Sequence, residues 1–536
     1  MQATRQAVQE IFEQVFVSPQ ADAKDDGRED ARLNALWQGQ YDRHESAALL
    51  ADYEIDDADD VLAALDELQD QRLYRALEDR GRRWIARLVP LMIAAASRSG
   101  QPDRALLRTL SVVSAIVGRS NYIALLVEHP AALATLIRLC GASEWITARV
   151  REQPALLDSL LDPRQLYKPP RRRELAAALD EDLSSIDEDD LEQRMDTLRR
   201  FKQSAVLRIA AADVTRAMPL MIVSDHLTEL AEVVLDAALD MAWHQMRARY
   251  GEPQNQAGER AQFAIVGYGK LGGLELGYSS DLDLVFLFDG PSEGTTVGGN
   301  RELSNQVFFT RLSQRLIHIL TTQTQAGRVY EIDMRLRPSG NAGLMVTHID
   351  AFAGYQRDQA WTWEHQALVR ARHVAGDRDL GARFEKVRQD TLGQVRDTAR
   401  LSADVRDMRL RMRRVKDKTT QDMLDVKQMS GGLIDIEFMA QFAALQYAHN
   451  CPEIVRFTDA IRILETMESG GFAPYESIKI LTDSYRAYRR YIHADALQRQ
   501  RAMIQRDTRA NDRQQVADLW QTWLGPDEPD AESPDA

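Results

Sequence analysis

Apolar residues recur at helical spacing along most of this chain, and for about a hundred residues in its middle they stop doing so. There "QFAIVGYG" (262–269), "DLDLVFLFD" (281–289) and "RVYEIDMRLRP" (328–338) are short, rich in β-branched and aromatic residues, and bounded by turn formers. That is the pattern of strands. A helical segment, roughly Leu303 to Thr322, separates the second from the third. These constraints leave an α+β, mostly helical fold, with one small α/β module between helical domains. At 536 residues the chain divides into two to four domains.

Residues 1 to about 20 read as an amphipathic helix with Val8, Ile11, Phe12, Val15 and Phe16 on one face, followed by an acidic linker, "SPQADAKDDGRED". From about 30 to 165 the pattern is helical, broken at "SRSGQPD" and "EHPAAL". The Pro-Pro pair in "LYKPPRRREL" ends that block. A second block runs from about 173 to 250; within it "SDHLTELAEVVLDAALDMAW" predicts a helix capped by Ser224 or Asp225. After about 350 the chain returns to helix, and the tail "GPDEPDAESPDA" predicts disorder.

Composition excludes several classes. A net charge of -15 argues against broad affinity for nucleic acid or an anionic membrane, although a locally basic cleft is compatible with it. Cys140 and Cys451 are the only cysteines and lack metal-ligand spacing, so neither a disulfide framework nor a zinc site is expected. No secretory signal or membrane span is apparent, and a cytoplasmic protein is expected.

The chemistry concentrates in "GYGKLGGLELGYSSDLDLVFLFD" (267–289). Side chains alternate along a strand, so Asp281 and Asp283 project from one face and Leu282, Leu284, Phe286 and Phe288 from the other. Two adjacent carboxylates repel, which a divalent cation offsets; a bare D-x-D pair by itself more often marks a solvated strand end. The glycines allow close backbone approach to a ligand, and a helix beginning near Leu271 would point its first N–H groups at a phosphate. Lys270 adds a point charge. No Walker A spacing is present, and the carboxylates come too soon for a dinucleotide fingerprint. In the third strand, alternation puts Glu331, Asp333, Arg335 and Arg337 on one face, with Tyr330, Ile332, Met334 and Leu336 on the other. A third carboxylate beside two others suits a two-metal displacement at phosphorus, and arginine forks match phosphate oxygens; a solvated edge strand is the alternative.

Beyond these residues the chain resembles a known family. "GKLGGLELGYSSDLDL", "RFKQSAVLRIAAADV", "SDHLTELAE", "YEIDMRLRPSGNAGL", "AWTWEHQALVRAR" and "GGLIDIEF" resemble, in order, the motifs of glutamine synthetase adenylyltransferases, a branch of the DNA polymerase β-like nucleotidyltransferases. Lys270 stands where the superfamily usually has Ser, a departure typical of that branch. The resemblance implies transfer of AMP from ATP to a tyrosine of glutamine synthetase. It implies Mg²⁺ held by Asp281, Asp283 and Asp333, ATP contacts from Gly269, Lys270, Ser280, Arg335 and Arg337, and PII signal protein and glutamine as partner and effector. Family enzymes carry two nucleotidyltransferase modules and this chain one "SDLDL" site, so the de-adenylylating half is expected to be absent. The expected domains are 1–30, the tail of that half plus linker; 31–172, a helical regulatory region; 173–350, the catalytic domain with leading helices; 351–524, a C-terminal helical domain; and 525–536, a disordered tail.

Three other groups carry expectations. Glu364 and His365 in "WTWEHQ" read as a packing motif with buried polar partners, a nucleotide contact being the alternative; Arg370 and Arg372 follow them. "MRLRMRRVKDK" predicts a solvated basic helix, or one that docks an acidic partner. Asp435 and Glu437 sit where acidic groups favour a helix start. An RNA nucleotidyltransferase of the same fold and a non-catalytic regulatory protein are the competing readings; the acidic charge opposes the first and the clustered carboxylates the second.

Overall fold

The computed structural model describes residues 26–215 and 218–526. The predicted helix over 1–20, most of the acidic linker, and the tail beyond 526 lie outside the described residues. The chain forms two compact units.

One unit comprises the residues up to Pro169 with Gln203–Pro219 and Leu497–Arg499. Its helices break where Gly and Pro interrupt the periodicity: Asp79–Ala96 is followed by Pro102–Ile116, and Ser120–Glu128 by Pro130–Ala142. Each proline opens the second helix of its pair, where its missing N–H costs nothing. Leu88, Met92, Leu106, Val113 and Leu136 are fully or almost fully buried. No single helix among the described residues is long and apolar enough to cross a membrane. Both cysteines are free thiols.

The second unit comprises Pro170–Lys202, Leu220–Ala496 and the chain from Gln500, and it holds the sheet. Helix α1, Leu220–Tyr250, begins just after Pro219. The expected cap at Ser224 or Asp225 is therefore wrong: the apolar run Met221–Val223 carries the helix upstream, and Ser224 is buried within it. Strand β1 (Phe263–Gly267) pairs antiparallel with β2 (Leu282–Phe288). Along the far edge of β2 lie two short parallel strands, β3 (Ile332–Asp333) and β4 (Val346–His348), while β5 (Arg372–Gly376) pairs antiparallel with β1. Helix α2, Asn305–Thr321, connects β2 to β3.

Both faces of β2 are covered. Phe288 packs on Phe309 of α2 with ring centroids 4.9 Å apart, and Phe263 stacks on the same ring. On the opposite face Val285 and Leu287 join Phe352, Leu368 and Phe384 in the core that continues into the C-terminal helices. By alternation Asp281 and Asp283 belong to this second face.

Two strand expectations need correction. The third strand spans two residues only, so Arg335 and Arg337 do not share a strand face with Asp333; a turn begins after Met334. The return to helix after 350 is incomplete. β5 and a small two-stranded antiparallel sheet, Met423–Asp425 with Met503–Gln505, interrupt it.

Candidate active site

The parallel register of β2 and β3 sets Asp283 directly opposite Asp333, and Asp281 stands two residues before Asp283. Desolvation first, then Asp281 and Asp333, push the Asp283 carboxyl up to about 6, with Lys270 and Arg370 opposing. Asp281 is exposed. Asp333, mostly buried, is drawn the other way: Arg335 Nε donates to its Oδ2 at 2.8 Å and Oδ1 at 3.0 Å, and the Arg335 N–H to Oδ1 at 2.8 Å. That grip holds Asp333 below the usual carboxylate range. The donors are hard oxygens, and a cation would relieve the charge crowding that raises Asp283, so their chemistry fits Mg²⁺. As the side chains stand, however, no three His, Cys, Asp or Glu among the described residues are arranged to hold a metal, and Asp333 is occupied by Arg335.

The glycine-rich turn is shaped by its neighbours. Gly269 has φ +54°, and a Cβ there would lie 2.3 Å from Asp283 Oδ2, so backbone and carboxylate touch only because this residue has no side chain. The helix expected near Leu271 is a single turn, Gly269–Gly272. Gly272 serves packing: a Cβ would meet the Arg370 carbonyl oxygen at 1.9 Å. Lys270 is exposed, its Nζ 3.5 Å from Ser280 Oγ, which accepts the Gly277 N–H at 3.0 Å. Arg337 donates to the carbonyls of Met334 (2.8 Å), Asn341 (3.2 Å) and Gly343 (3.3 Å), closing its own loop.

Sequence patterns missed what holds this turn in place. Glu275, within "GGLELGYSS", is 1% exposed and ion-paired with Arg370. Arg370 also reaches Glu437 at 3.1 Å. Arg489, from helix Tyr475–Leu497, donates to the Glu275 carbonyl at 3.1 Å and to Ser224 Oγ at 2.9 Å. Thr458 Oγ1 donates to the Gly272 carbonyl at 2.6 Å. Desolvation raises the Glu275 carboxyl, but Arg370 and Arg489 outweigh it and hold it below its ordinary value. Arg372, next but one, pairs with buried Glu232 of α1 and donates to the Leu271 carbonyl at 3.2 Å. Only the presence of a charged residue inside a glycine-rich, otherwise apolar run hints at any of this.

The remaining groups resolve toward packing. Glu364 accepts from Tyr355 Oη at 2.8 Å and caps its own helix through the Trp361 N–H; His365 Nε2 sits 2.9 Å from the Gln356 carbonyl. The basic helix α3, Thr398–Lys416, is not solvated all round: Arg409 is fully buried and Arg413 partly so, both on Asp435. Asp435 stands near the start of helix α4, Leu433–Tyr447, and accepts the Gly431 N–H at 2.8 Å. It is thus an ion-pair centre more than a partner of the helix dipole.

With this geometry in view, a family model described as glutamate-ammonia ligase adenylyltransferase matches residues 133–387, and one described as GlnD PII-uridylyltransferase matches residues 399–526. The chain is 45% identical over 523 residues to the bifunctional glutamine synthetase adenylyltransferase/adenylyl-removing enzyme of Thioalkalivibrio sulfidiphilus, covering 96% of this chain and 54% of that protein. Its similarity to the enzyme of the same name from Nitrosococcus oceani is 44%, over 97% and 54% of the two chains. For that of Pseudomonas aeruginosa it is 42%, over 95% and 54%. The chain therefore spans about half the length of these curated relatives.

Proposed function

We propose that this chain, which belongs to the glutamate-ammonia ligase adenylyltransferase family, adenylylates a tyrosine of glutamine synthetase in the cytoplasm, using ATP. The tyrosine oxygen attacks the α-phosphorus, the bond to the bridging oxygen of the β-phosphate breaks, pyrophosphate leaves, and the phenolic proton passes to solvent or a nearby base. The observation that carries this reading is the register that pairs Asp283 with Asp333 beside Asp281 on a partly desolvated strand end.

Asp281, Asp283 and Asp333 would hold Mg²⁺, which supplies neutralisation of phosphate charge and acidification of a tyrosine whose free pKa is about 10. The chain's own residues do the positioning. Gly269 permits the turn to lie against Asp283, and Lys270 and Ser280 face the triphosphate from that turn. Arg335, exposed at the lip, is available to a phosphate in exchange for Asp333; Arg337 shapes the loop beneath it. While Arg335 grips Asp333, that carboxylate is a weak base, so its charge rather than its basicity is what it brings. Residues 31–172 serve as a regulatory region. The uridylyltransferase-like match over 399–526 supports PII as a regulatory partner, with glutamine as effector.

The test is incubation with α-labelled ATP, Mg²⁺ and glutamine synthetase, with and without glutamine and PII. Label is expected on a tyrosine and is expected to vanish in Asp281→Asn with the melting curve retained. Absence of transfer under every effector condition, with ATP still bound, would refute the reading.

A further inference from the structure

The C-terminal helices cover the face of the sheet on which Asp281 and Asp283 lie, and one cation they bring, Lys427, has no hydrogen-bond or ion-pair partner among the described residues. Lys427 follows the strand Met423–Asp425 by two residues. Its N–H donates to Asp425 Oδ1 at 3.0 Å and its carbonyl accepts the Ile434 N–H at 3.2 Å, so the backbone is pinned on both sides. The side chain is half-buried, within electrostatic reach of Lys270, Asp425, Glu437 and Arg489; burial first, then Lys270, holds the ammonium below its ordinary value.

Both carboxylates in reach are already taken. Asp425 is bound by Arg501 at 2.6 and 3.1 Å, and Glu437 by Arg370 at 3.1 Å. Among the described residues the Lys427 ammonium makes no hydrogen bond or ion pair, and Lys270 has only the 3.5 Å approach to Ser280 Oγ. Val426 and Leu433, on either side of Lys427 in the chain, pack in one core with Val285 and Leu287 of β2 and with Tyr268 beside Lys270, so the segments carrying the two ammonium groups meet on this side of the sheet. Carboxylates lie within electrostatic reach of each group, but none among the described residues is bonded to either. A polyanion reaching both would give each ammonium the bonded partner that it lacks within the fold.

We propose that Lys427 is a polyphosphate-binding residue, which with Lys270 holds the β- and γ-phosphates of the nucleotide and the pyrophosphate that leaves. This inference deepens the nucleotidyl-transfer reading and rests on it. The triphosphate site is then built from two regions: Lys270 comes from the turn after β1, and Lys427 from the stretch that precedes α4.

The test uses the full chain with Mg²⁺ and titrates inorganic tripolyphosphate and, separately, AMP by calorimetry. Lys427→Met keeps the aliphatic stem, and Lys427→Arg keeps the charge. Loss of one charge-assisted contact predicts at least about tenfold weaker tripolyphosphate binding by Lys427→Met. AMP affinity should be unchanged, and Lys427→Arg should stay within about threefold of the parent. The inference is overturned if the parent does not bind tripolyphosphate, if folded Lys427→Met binds it like the parent, or if AMP and tripolyphosphate weaken together. Should adenylyl transfer to glutamine synthetase fail while tripolyphosphate binding still depends on Lys427, the proposed function falls and this site remains.

Discussion

Replacing Arg370 with Met would test whether the glycine-rich turn is held from behind by charge. Arg370 is 8% exposed and joins Glu275, 1% exposed, to Glu437, 13% exposed. Without its guanidinium, the nearest cation left to Glu275 among the described residues is Arg489, 3.9 Å away, and Glu437 keeps the Tyr485 hydroxyl at 3.4 Å. Breaking a buried pair from one side costs about 3–5 kcal/mol, because the stranded charge has lost its water without compensation. Glu275→Gln added to Arg370→Met removes that stranded charge and should restore about 1–3 kcal/mol, a coupling typical of contacting residues. Equilibrium urea unfolding at pH 7.5 of parent, single and double variants measures both quantities. The pH dependence carries a sign. In the parent, Glu275 sits below its ordinary value, so its contribution is present above the unfolded value and is lost only as pH falls through the lower folded one. In Arg370→Met the burial that raises this carboxyl goes largely unopposed, so acidification from 7.5 toward 5 should narrow the gap to the parent. A gap below about 1 kcal/mol at pH 7.5, or one that widens on acidification, would refute the ion-pair account.

Three further outcomes are expected. In chelated buffer, Asp283→Asn should be more stable than the parent at pH 8 by up to about 3 kcal/mol, since a carboxyl pushed up to about 6 loses stability as pH rises from 4 through 6; melting curves at pH 4 should nearly coincide, and transfer activity, assayed with Mg²⁺ supplied, should be lost in the variant alone. Gly269→Ala forces a side chain into positive φ and onto the Asp283 carboxylate, so labelled-ATP turnover should drop at least about tenfold while unfolding free energy falls by only about 1–2 kcal/mol. Asp435→Asn leaves Arg409 fully buried with a neutral partner, and chemical denaturation should show a loss of about 3 kcal/mol or more.

What the chain disclosed in advance was its local periodicity. Period two located β1 and β2 and put Asp281 and Asp283 on one face, because those strands are regular and their apolar alternation has a physical consequence. The same rule misled in "EIDMRLRP", where charged and apolar residues go on alternating for several residues after the strand has ended. Arginines in a turn can satisfy themselves on a carboxylate two residues back, as Arg335 does, or on their own loop's carbonyls, as Arg337 does. The pattern of residue types does not distinguish that from a charged strand face.

A deeper blindness concerns buried charge. Arg199, Arg388 and Arg409 are fully buried, each held by groups far along the chain: Arg199 by carbonyls of Thr322 and Gly327, Arg388 by those of Leu368, Val369 and Val455, Arg409 by Asp435. Burying a guanidinium is tolerable only once such partners converge, and they come from residues 19 to 128 positions away. Local spacing therefore reads each of these arginines as solvent-facing, and it overlooks Glu275 for the same reason. The converse gives Lys427 its meaning. In a unit where so many inward cations are held, often by carbonyls, Lys427 differs in being a half-buried ammonium with no hydrogen bond or ion pair among the described residues. Carbonyls and carboxylates of the fold hold the others; for this one the proposed partner is the polyphosphate of a ligand.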